Sequence, residues 1–172
     1  MWTNVEKYCW PIVIYSVELV MILGIDPGLE NVGWGIVDDN KLIDCGVIIT
    51  NKKDNSVDRL GKIYEELENI IKKFKVEEMA IETLFFAKNA KSALKVAEAI
   101  GVIKICGKKN NLAVAEYTPL QVKQALVGYG RAQKEQVEIM VRDCLNLTEL
   151  ITPSHASDAV AVALTHGFTM KI

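Results

Sequence analysis

Three strand-like segments follow one another near the start of the chain, with only short turns between them. They span Met21–Asp26, Val32–Val37 and Leu42–Thr50. Connections this short join antiparallel neighbours, so the segments predict a three-strand meander. Downstream, the pattern changes to alternating helices and strands. This order predicts a mixed α/β domain in which the antiparallel meander is joined by parallel strands and flanked by helices.

The later elements are predicted from hydrophobic periodicity and capping signals. They are a helix capped by Ser56 that runs to about Phe74, a strand at Glu78–Glu82, a helix from about Ala90 to Ile105, a strand at Leu112–Glu116, a helix after the Thr118-Pro119 cap, a helix at Lys134–Leu145, and a last helix from the Thr152-Pro153 cap to about Phe168. The 172 residues suit one domain with a sizeable core.

The first twenty residues are predicted to form an extension outside this domain. The stretch from Cys9 to Ile25 is apolar, but Pro11 and Glu18 interrupt it, which argues against a membrane helix. No small-residue cleavage site marks a signal peptide. We therefore divide the chain into an extension at 1–20, with no predicted function and with Met21 as an alternative start, and a domain at 21–172. No membrane partner is expected.

Cysteine usage favours a reduced, cytoplasmic setting. The four cysteines stand singly and form no CxxC pair, so the pattern does not indicate a secreted disulfide framework. Each is interpreted as a small buried hydrophobic residue.

Three acidic residues far apart in the chain occupy similar places at the ends of apolar segments. Asp26 ends the first strand, Glu82 ends the strand at Glu78–Glu82, and Asp158 lies at the mouth of an Ala/Val-rich helix. A carboxylate in such a place loses hydration unless a partner offsets the cost. Strand ends and a helix start that converge can hold such groups around a divalent cation. The pattern therefore indicates metal-dependent phosphodiester chemistry.

His155 precedes Asp158 by three residues, so the two side chains share one face of the helix and can share one cation or one water. Asp26 read alone is ambiguous, because aspartate before Pro-Gly commonly stabilises turns. A similar stretch also faces nucleotide phosphates in actin-like ATPases and sugar kinases. Those folds need two such domains, and this chain has the length for one.

Basic residues are concentrated between Leu84 and Lys134, although the whole chain carries a net charge of −2. This segment has nine of them, opposed only by Glu98 and Glu116, which predicts a face for a polyanion. Solvated lysine-rich helix surfaces are the alternative. Aromatic residues beside Glu82 suit either stacking on unpaired bases or core packing. The candidate DNA contacts are Phe85, Lys88, Lys91, Lys123, Arg131 and Lys134.

The helix from Ala90 to Ile105 carries small and apolar residues at helical spacing. They include Ala93, Leu94, Ala97, Ile100 and Gly101. Two interpretations stay open: this stripe forms the seam of a two-fold dimer, or it packs on the chain's own sheet.

Five motifs, in order along the chain, resemble the RuvC family of bacterial Holliday-junction resolvases. They are Ile22-Leu23-Gly24-Ile25-Asp26-Pro27-Gly28, Ile81-Glu82 through Phe85, Ala87-Lys88-Asn89-Ala90, Gln121-Val122-Lys123-Gln124 and His155-Ala156-Ser157-Asp158-Ala159. The resemblance runs from Met21 to the last helix. It implies an RNase H-like fold, a homodimer, and magnesium-dependent nicking of two strands at a four-way DNA junction during recombination and repair. It also implies cooperation with the RuvA–RuvB branch-migration complex.

The family's catalytic and metal-binding residues, carried over by position, are Asp26, Glu82, His155 and Asp158. Phe85 matches an aromatic residue that engages junction bases, and Lys123 and Lys134 match lysines implicated in backbone contact or catalysis. Some family members have aspartate where this chain has His155. The role of His155, as metal ligand or as proton acceptor, therefore stays open.

The expected mechanism uses two magnesium ions roughly 3.5–4 Å apart. Asp26 would bridge both ions, Glu82 would complete one coordination shell, and Asp158 with His155 would complete the other. Because histidine is a softer ligand than carboxylate, manganese is expected to substitute. A catalytically silent junction-binding module and a general RNase H-like nuclease remain alternatives.

Overall fold

The computed structural model of the chain describes residues 20–83 and 90–170, and it contains a five-stranded mixed sheet. The strands are β1 (Met21–Asp26), β2 (Asn31–Asp38), β3 (Lys41–Ile49), β4 (Glu78–Glu82) and β5 (Ala113–Tyr117), in the spatial order β3-β2-β1-β4-β5. The first three strands pair antiparallel, and β4 and β5 run parallel to β1. The predicted meander and mixed sheet are confirmed.

Five helices accompany the sheet in the described part of the chain. They are α1 (Ser56–Phe74), α2 (Ala90–Lys109), α3 (Pro119–Val127), α4 (Lys134–Cys144) and α5 (Ser154–Met170). Across residues 20–83 and 90–170, no helix has both the length and the apolar character needed to cross a membrane.

Two helix starts differ from the prediction. The N-cap of α1 is Asn55 rather than Ser56, because the Asn55 side chain accepts a hydrogen bond from the Asp58 amide at 3.0 Å. Helix α5 begins at Ser154, since the Pro153 carbonyl accepts the first helical hydrogen bond, from Ala156 at 2.9 Å. Thr152 and Pro153 therefore precede the helix instead of forming its N-cap and first residue.

Two further elements also differ from the prediction in their bounds. Helix α2 continues past Ile105 to Lys109, because Cys106 is fully buried and two lysines in the last turn favour the negative end of the helix dipole. Strand β5 is displaced by one residue, since Tyr117 pairs with Glu82 at the end of β4.

The sheet separates two hydrophobic clusters, one on each face. Leu23 and Ile25 of β1 belong to the cluster that includes α1 and α2, whereas Ile22 belongs to the cluster that includes α3, α4 and α5. Successive side chains of a strand point to opposite faces. Asp26 is in phase with Ile22, and Glu82 is in phase with Ala80, which lies in the second cluster. Both carboxylates therefore face the side of α5.

Helix α5 lies unusually close to β1 and β2 because the strands present glycine beneath it. A Cβ atom at Gly24 would overlap the Ala159 carbonyl oxygen, and one at Gly33 would overlap the His155 carbonyl oxygen. At Gly35 it would overlap the Val160 side chain. Only residues without a Cβ allow this approach. The glycines thereby hold the first turns of α5 against the end of β1, where Asp26 lies.

Candidate active site

A short side-chain contact between β1 and α5 joins two residues that the sequence singled out. Asp26 Oδ2 lies 2.7 Å from His155 Nδ1. Asp26 ends β1, and His155 lies in the first turn of α5. If Nδ1 carries the proton, it donates to the carboxylate and leaves the Nε2 lone pair for a cation or a proton.

Asp158 lies one helical turn further along and completes a group of three. Ligand atoms of Asp26, His155 and Asp158 all lie within 4.8 Å of one another. The predicted pairing of His155 and Asp158 on one helix face is confirmed. Two carboxylates and one imidazole form a donor set that suits a divalent cation with oxygen and nitrogen ligands. The residues present therefore fit the metal centre that the sequence predicted.

Glu82 lies beside this group rather than within it. It ends β4, the strand next to β1, and it lines a cleft of about 240 Å³ together with Asp158, Lys123 and Lys134. Burial, followed by the charges of Asp26 and Asp158, raises the pKa of Glu82 to about 7 against the opposing effect of the two lysines. The charges of both aspartates therefore act on the Glu82 carboxyl group.

The same crowding of negative charge acts on Asp26. Burial raises the pKa of its carboxyl group. The hydrogen bond from His155 lowers that pKa and the charge of Asp158 raises it, with a net upward shift. A divalent cation would offset both burial and repulsion, because it favours the ionised carboxylates.

Lys134 supplies positive charge at the same place. Its Nζ lies 2.6 Å from Asp158 Oδ2. Burial alone would lower the pKa of Lys134, but the hydrogen bond and charge of Asp158, with smaller effects of Glu138 and Asp26, raise it overall. Lys134 is thus held as a cation between the aspartates and the cleft.

The predicted DNA contacts are only partly brought to this site. Lys123 and Lys134 line the cleft, whereas Arg131 is exposed between α3 and α4 and is not among the lining residues. Phe85, Phe86 and Lys88, and the Lys91 side chain, lie outside the described residues. Their proposed roles remain predictions.

A second and larger cleft adjoins His155, and Glu82 is not among its lining residues. Its volume is about 470 Å³, and its lining includes Lys52, Arg59 and Lys95. Lys52 and Arg59 carry no sequence signal for this role, because both lie in a segment of mixed charge that is distant from every motif. Only the approach of α1 and α2 to the β1–β2 turn brings these cations together.

His166, which the sequence did not place in the site, has a structural role in the core. It is 5 % exposed. Its Nδ1 and Nε2 atoms lie 2.8 Å from the Tyr117 hydroxyl and 2.8 Å from Glu78 Oε2, respectively. This hydrogen-bonded chain connects β5, α5 and β4.

Comparison with known proteins now identifies the family. The family model described as crossover junction endodeoxyribonuclease RuvC matches residues 22–166. The chain belongs to the RuvC family. The RuvC protein of Fusobacterium nucleatum is 47% identical over 149 residues, which cover 84% of this chain and 78% of that protein. The RuvC protein of Halothermothrix orenii is 46% identical over 157 residues, covering 89% and 95%.

A solved RuvC structure has the same architecture. The Thermus thermophilus RuvC structure in complex with a Holliday junction substrate matches with a TM-score of 0.84 and 37% identity, over 88% of this chain and 95% of that chain. The fold is therefore the RNase H-like fold of RuvC proteins, as the sequence resemblance implied.

Proposed function

We propose that this chain is a Holliday-junction resolvase that makes paired, symmetric nicks in DNA during recombination and repair. The observation that carries the proposal is the convergence of Asp26, Glu82, His155 and Asp158, from three separate segments, beside a cleft lined by Lys123 and Lys134. Membership of the RuvC family and the junction bound to the Thermus thermophilus relative support the same substrate.

Asp26, His155 and Asp158 would hold a divalent cation, with Glu82 contributing from the adjoining strand. We propose magnesium, two ions per site, because three of these four groups are carboxylates, and we expect manganese to substitute because the fourth is imidazole. When bound, such ions lower the pKa of the attacking water and stabilise the leaving oxyanion.

The chain's own residues orient and hold charge around that chemistry. Asp26 fixes the tautomer and orientation of His155 through the 2.7 Å contact with Nδ1, so that Nε2 can bind a ligand or accept a proton. Lys123 and Lys134 attract the backbone phosphates into the cleft.

The proposed active form is a two-fold dimer, because two symmetric nicks need two equivalent sites. Helix α2 exposes Leu94 and Ile105, at 66% and 57%. Between them lies Gly101, where an added Cβ would meet nothing within 4 Å. Glycine in an exposed helix costs about 1 kcal/mol relative to alanine. A second copy of the chain approaching α2 would explain this residue, which the monomer does not need.

Gly61 on α1 provides a matched control for the dimer seam, since it is also exposed and also free of neighbours within 4 Å. Gly101→Gln should shift sedimentation velocity profiles towards monomer, whereas Gly61→Gln should not. A wild-type chain that stays monomeric at high concentration would contradict the dimer.

The remaining assignments rest on the family resemblance. We propose a cytoplasmic protein that works with the RuvA–RuvB branch-migration complex. We also propose that residues 21–172 form the nuclease domain and that residues 1–20 lie outside it; the family match over residues 22–166 is consistent with this division.

A cleavage assay tests the proposed function. A synthetic four-way junction and a linear duplex of the same sequence are incubated with the protein, with and without magnesium. We expect paired nicks in the junction alone and only with magnesium. Equal cleavage of both substrates would indicate a general RNase H-like nuclease, and binding without cleavage would indicate a silent junction-binding module.

A further inference from the structure

The 470 Å³ cleft beside His155 contains more positive than negative charge. Lys52 and Glu30, which both line it, pair with each other at 2.8 Å. Arg59 and Lys95 have no carboxylate partner among residues 20–83 and 90–170 whose side chains are described. Two cations at a shared cleft without a counter-charge form a site for an anion.

Arg59 is held in place by a buried hydroxyl group. Its Nε donates to Thr50 Oγ1 at 2.8 Å, and Thr50 Oγ1 donates to the Leu29 carbonyl at 2.5 Å. Thr50 is 3% exposed, so this anchor is part of the packed core. The contact uses Nε and leaves the two terminal nitrogen atoms of the guanidinium for a ligand. A planar group fixed in this way suits two-pronged binding of a phosphate.

The position of the cleft indicates which phosphate it takes. His155 lines this cleft and also contacts Asp26, whereas the Lys123 and Lys134 cleft lies on the other side, at Asp158 and Glu82. Consider a DNA strand that enters the site past Lys123 and is cut at a phosphate beside Asp26. The same strand would leave the site past Arg59. A neighbouring phosphate of the same strand is therefore the anion within reach.

We propose that Arg59 and Lys95 form a subsite for a backbone phosphate adjacent to the scissile one, on the Arg59 side of the metal-binding group. This inference rests on the proposed nuclease function and adds residues that none of the sequence motifs contains. The subsite holds the strand on both sides of the bond that is cut. It thereby favours a polynucleotide over a short fragment that ends at the cleavage point.

The first test compares charge-removing variants in junction binding at several salt concentrations. Arg59→Gln and Lys95→Gln should each weaken binding on the order of tenfold and reduce the slope of log K against log salt by about 0.7–0.9. Lys62→Gln, at an exposed lysine on the same helix, removes equal charge outside the cleft and should change neither. Thr50→Val, which keeps Arg59 but removes its anchor, should weaken binding by less than Arg59→Gln.

The second test locates the phosphate. Methylphosphonate linkages, which are neutral, are placed one at a time on each side of the scissile phosphate of a four-way junction. Wild-type protein should lose affinity at one flanking position, and Arg59→Gln should be insensitive to that same position. Thermal unfolding of each variant separates loss of the subsite from loss of folding, and the exposed Lys95 provides a variant with little effect on the core.

Different results test the phosphate subsite and the proposed nuclease function separately. If wild-type protein neither binds nor cuts junctions, the proposed function fails. If wild-type protein cuts junctions but Arg59→Gln and Lys95→Gln match Lys62→Gln in affinity and salt slope, the subsite is wrong. A flanking methylphosphonate that weakens wild-type and Arg59→Gln equally would also overturn it.

Discussion

The Nζ atom of Lys134 lies 2.6 Å from Oδ2 of Asp158, one of the three residues that could hold a divalent cation. The ammonium group of Lys134 therefore supplies part of the positive charge that such a cation would supply. It neutralises the carboxylate of one of the two aspartates in the group. Lys123 lines the same cleft but is in no ion pair with the described acidic residues. The two lysines thus differ in their direct contact with Asp158, and the effect of this difference on metal affinity can be measured.

Removal of Lys134 is expected to strengthen binding of a divalent cation in the absence of DNA. Lys134→Gln frees the Asp158 carboxylate, and the cation no longer competes with an ammonium group at 2.6 Å. We expect an increase in manganese affinity of about tenfold, measured by isothermal titration calorimetry. Lys123→Gln is the control, with a smaller effect because it acts only through longer-range charge. Equal effects of the two variants would contradict direct competition.

Replacement of Asp26 by asparagine is expected to separate binding from cleavage. The amide removes a charged ligand from the group of three while keeping the shape of the side chain. Metal-assisted stabilisation of the transition state is worth several kcal/mol, so cleavage should fall by about a thousandfold. Junction affinity in a gel-shift assay should stay within about threefold of wild type. Cleavage near the wild-type rate would refute the assignment of Asp26.

The stability of the metal-free protein should depend on the protonation of Glu82. The pKa of an ordinary glutamate is 4.5, and that of Glu82 in the folded chain is about 7. Between these two values the folded state binds a proton that the unfolded state has lost, so the free energy of unfolding falls as the pH rises. Each pKa unit is worth about 1.4 kcal/mol, which gives a loss of about 3 kcal/mol that is complete above pH 7.

Chemical denaturation between pH 5 and pH 8 in a metal chelator measures this dependence. Glu82→Gln should lose less stability than wild type over that range, and it should be the more stable protein at pH 8. Asp26, whose pKa is also raised, contributes a decline in the same direction in both proteins. Added magnesium should reduce the decline in wild type. Parallel profiles of stability against pH for the two proteins would contradict a raised pKa of Glu82 in the folded chain.

The glycines beneath α5 are expected to couple stability to metal binding. Gly24→Ala places a methyl group against the Ala159 carbonyl and should cost about 1–3 kcal/mol, because the helix must move away from β1. The same movement displaces His155 and Asp158 from Asp26, so metal affinity should fall as well. Gly61→Ala meets no neighbour and should stabilise the chain by about 0.5–1 kcal/mol without changing metal affinity. Unchanged metal affinity in folded Gly24→Ala would contradict the coupling.

Much of the fold was predictable because its signals are local. The meander follows from alternating apolar segments and short turns, and the Thr118-Pro119 start of α3 follows from a capping box that the structure contains. The predicted start of α5 was wrong by one residue, because Pro153, rather than Thr152, supplies the carbonyl group that accepts the first helical hydrogen bond. Such a choice depends on the preceding chain direction, which residue types do not encode.

The candidate site was predictable in its members but not in its contacts. Asp26, His155 and Asp158 were expected together and lie together. The ion pair between Lys134 and Asp158 was not expected, because 24 residues separate them and their contact depends on how α4 packs on α5. The Arg59 cleft has the same origin, since it forms where α1, α2 and the β1–β2 turn meet.

The register of the sheet makes the site an all-or-none property of each molecule. Asp26 pairs with Gly33 across β1 and β2, and Ile25 pairs with Ile81 across β1 and β4. A slip of one residue in β1 would turn Asp26 towards α1 and α2, away from His155. A misregistered molecule would then lack Asp26 from the group with His155 and Asp158, instead of holding it slightly displaced. The specific activity of a preparation should accordingly be proportional to the fraction of correctly folded molecules. Partial activity should reflect a mixture of active and inactive molecules.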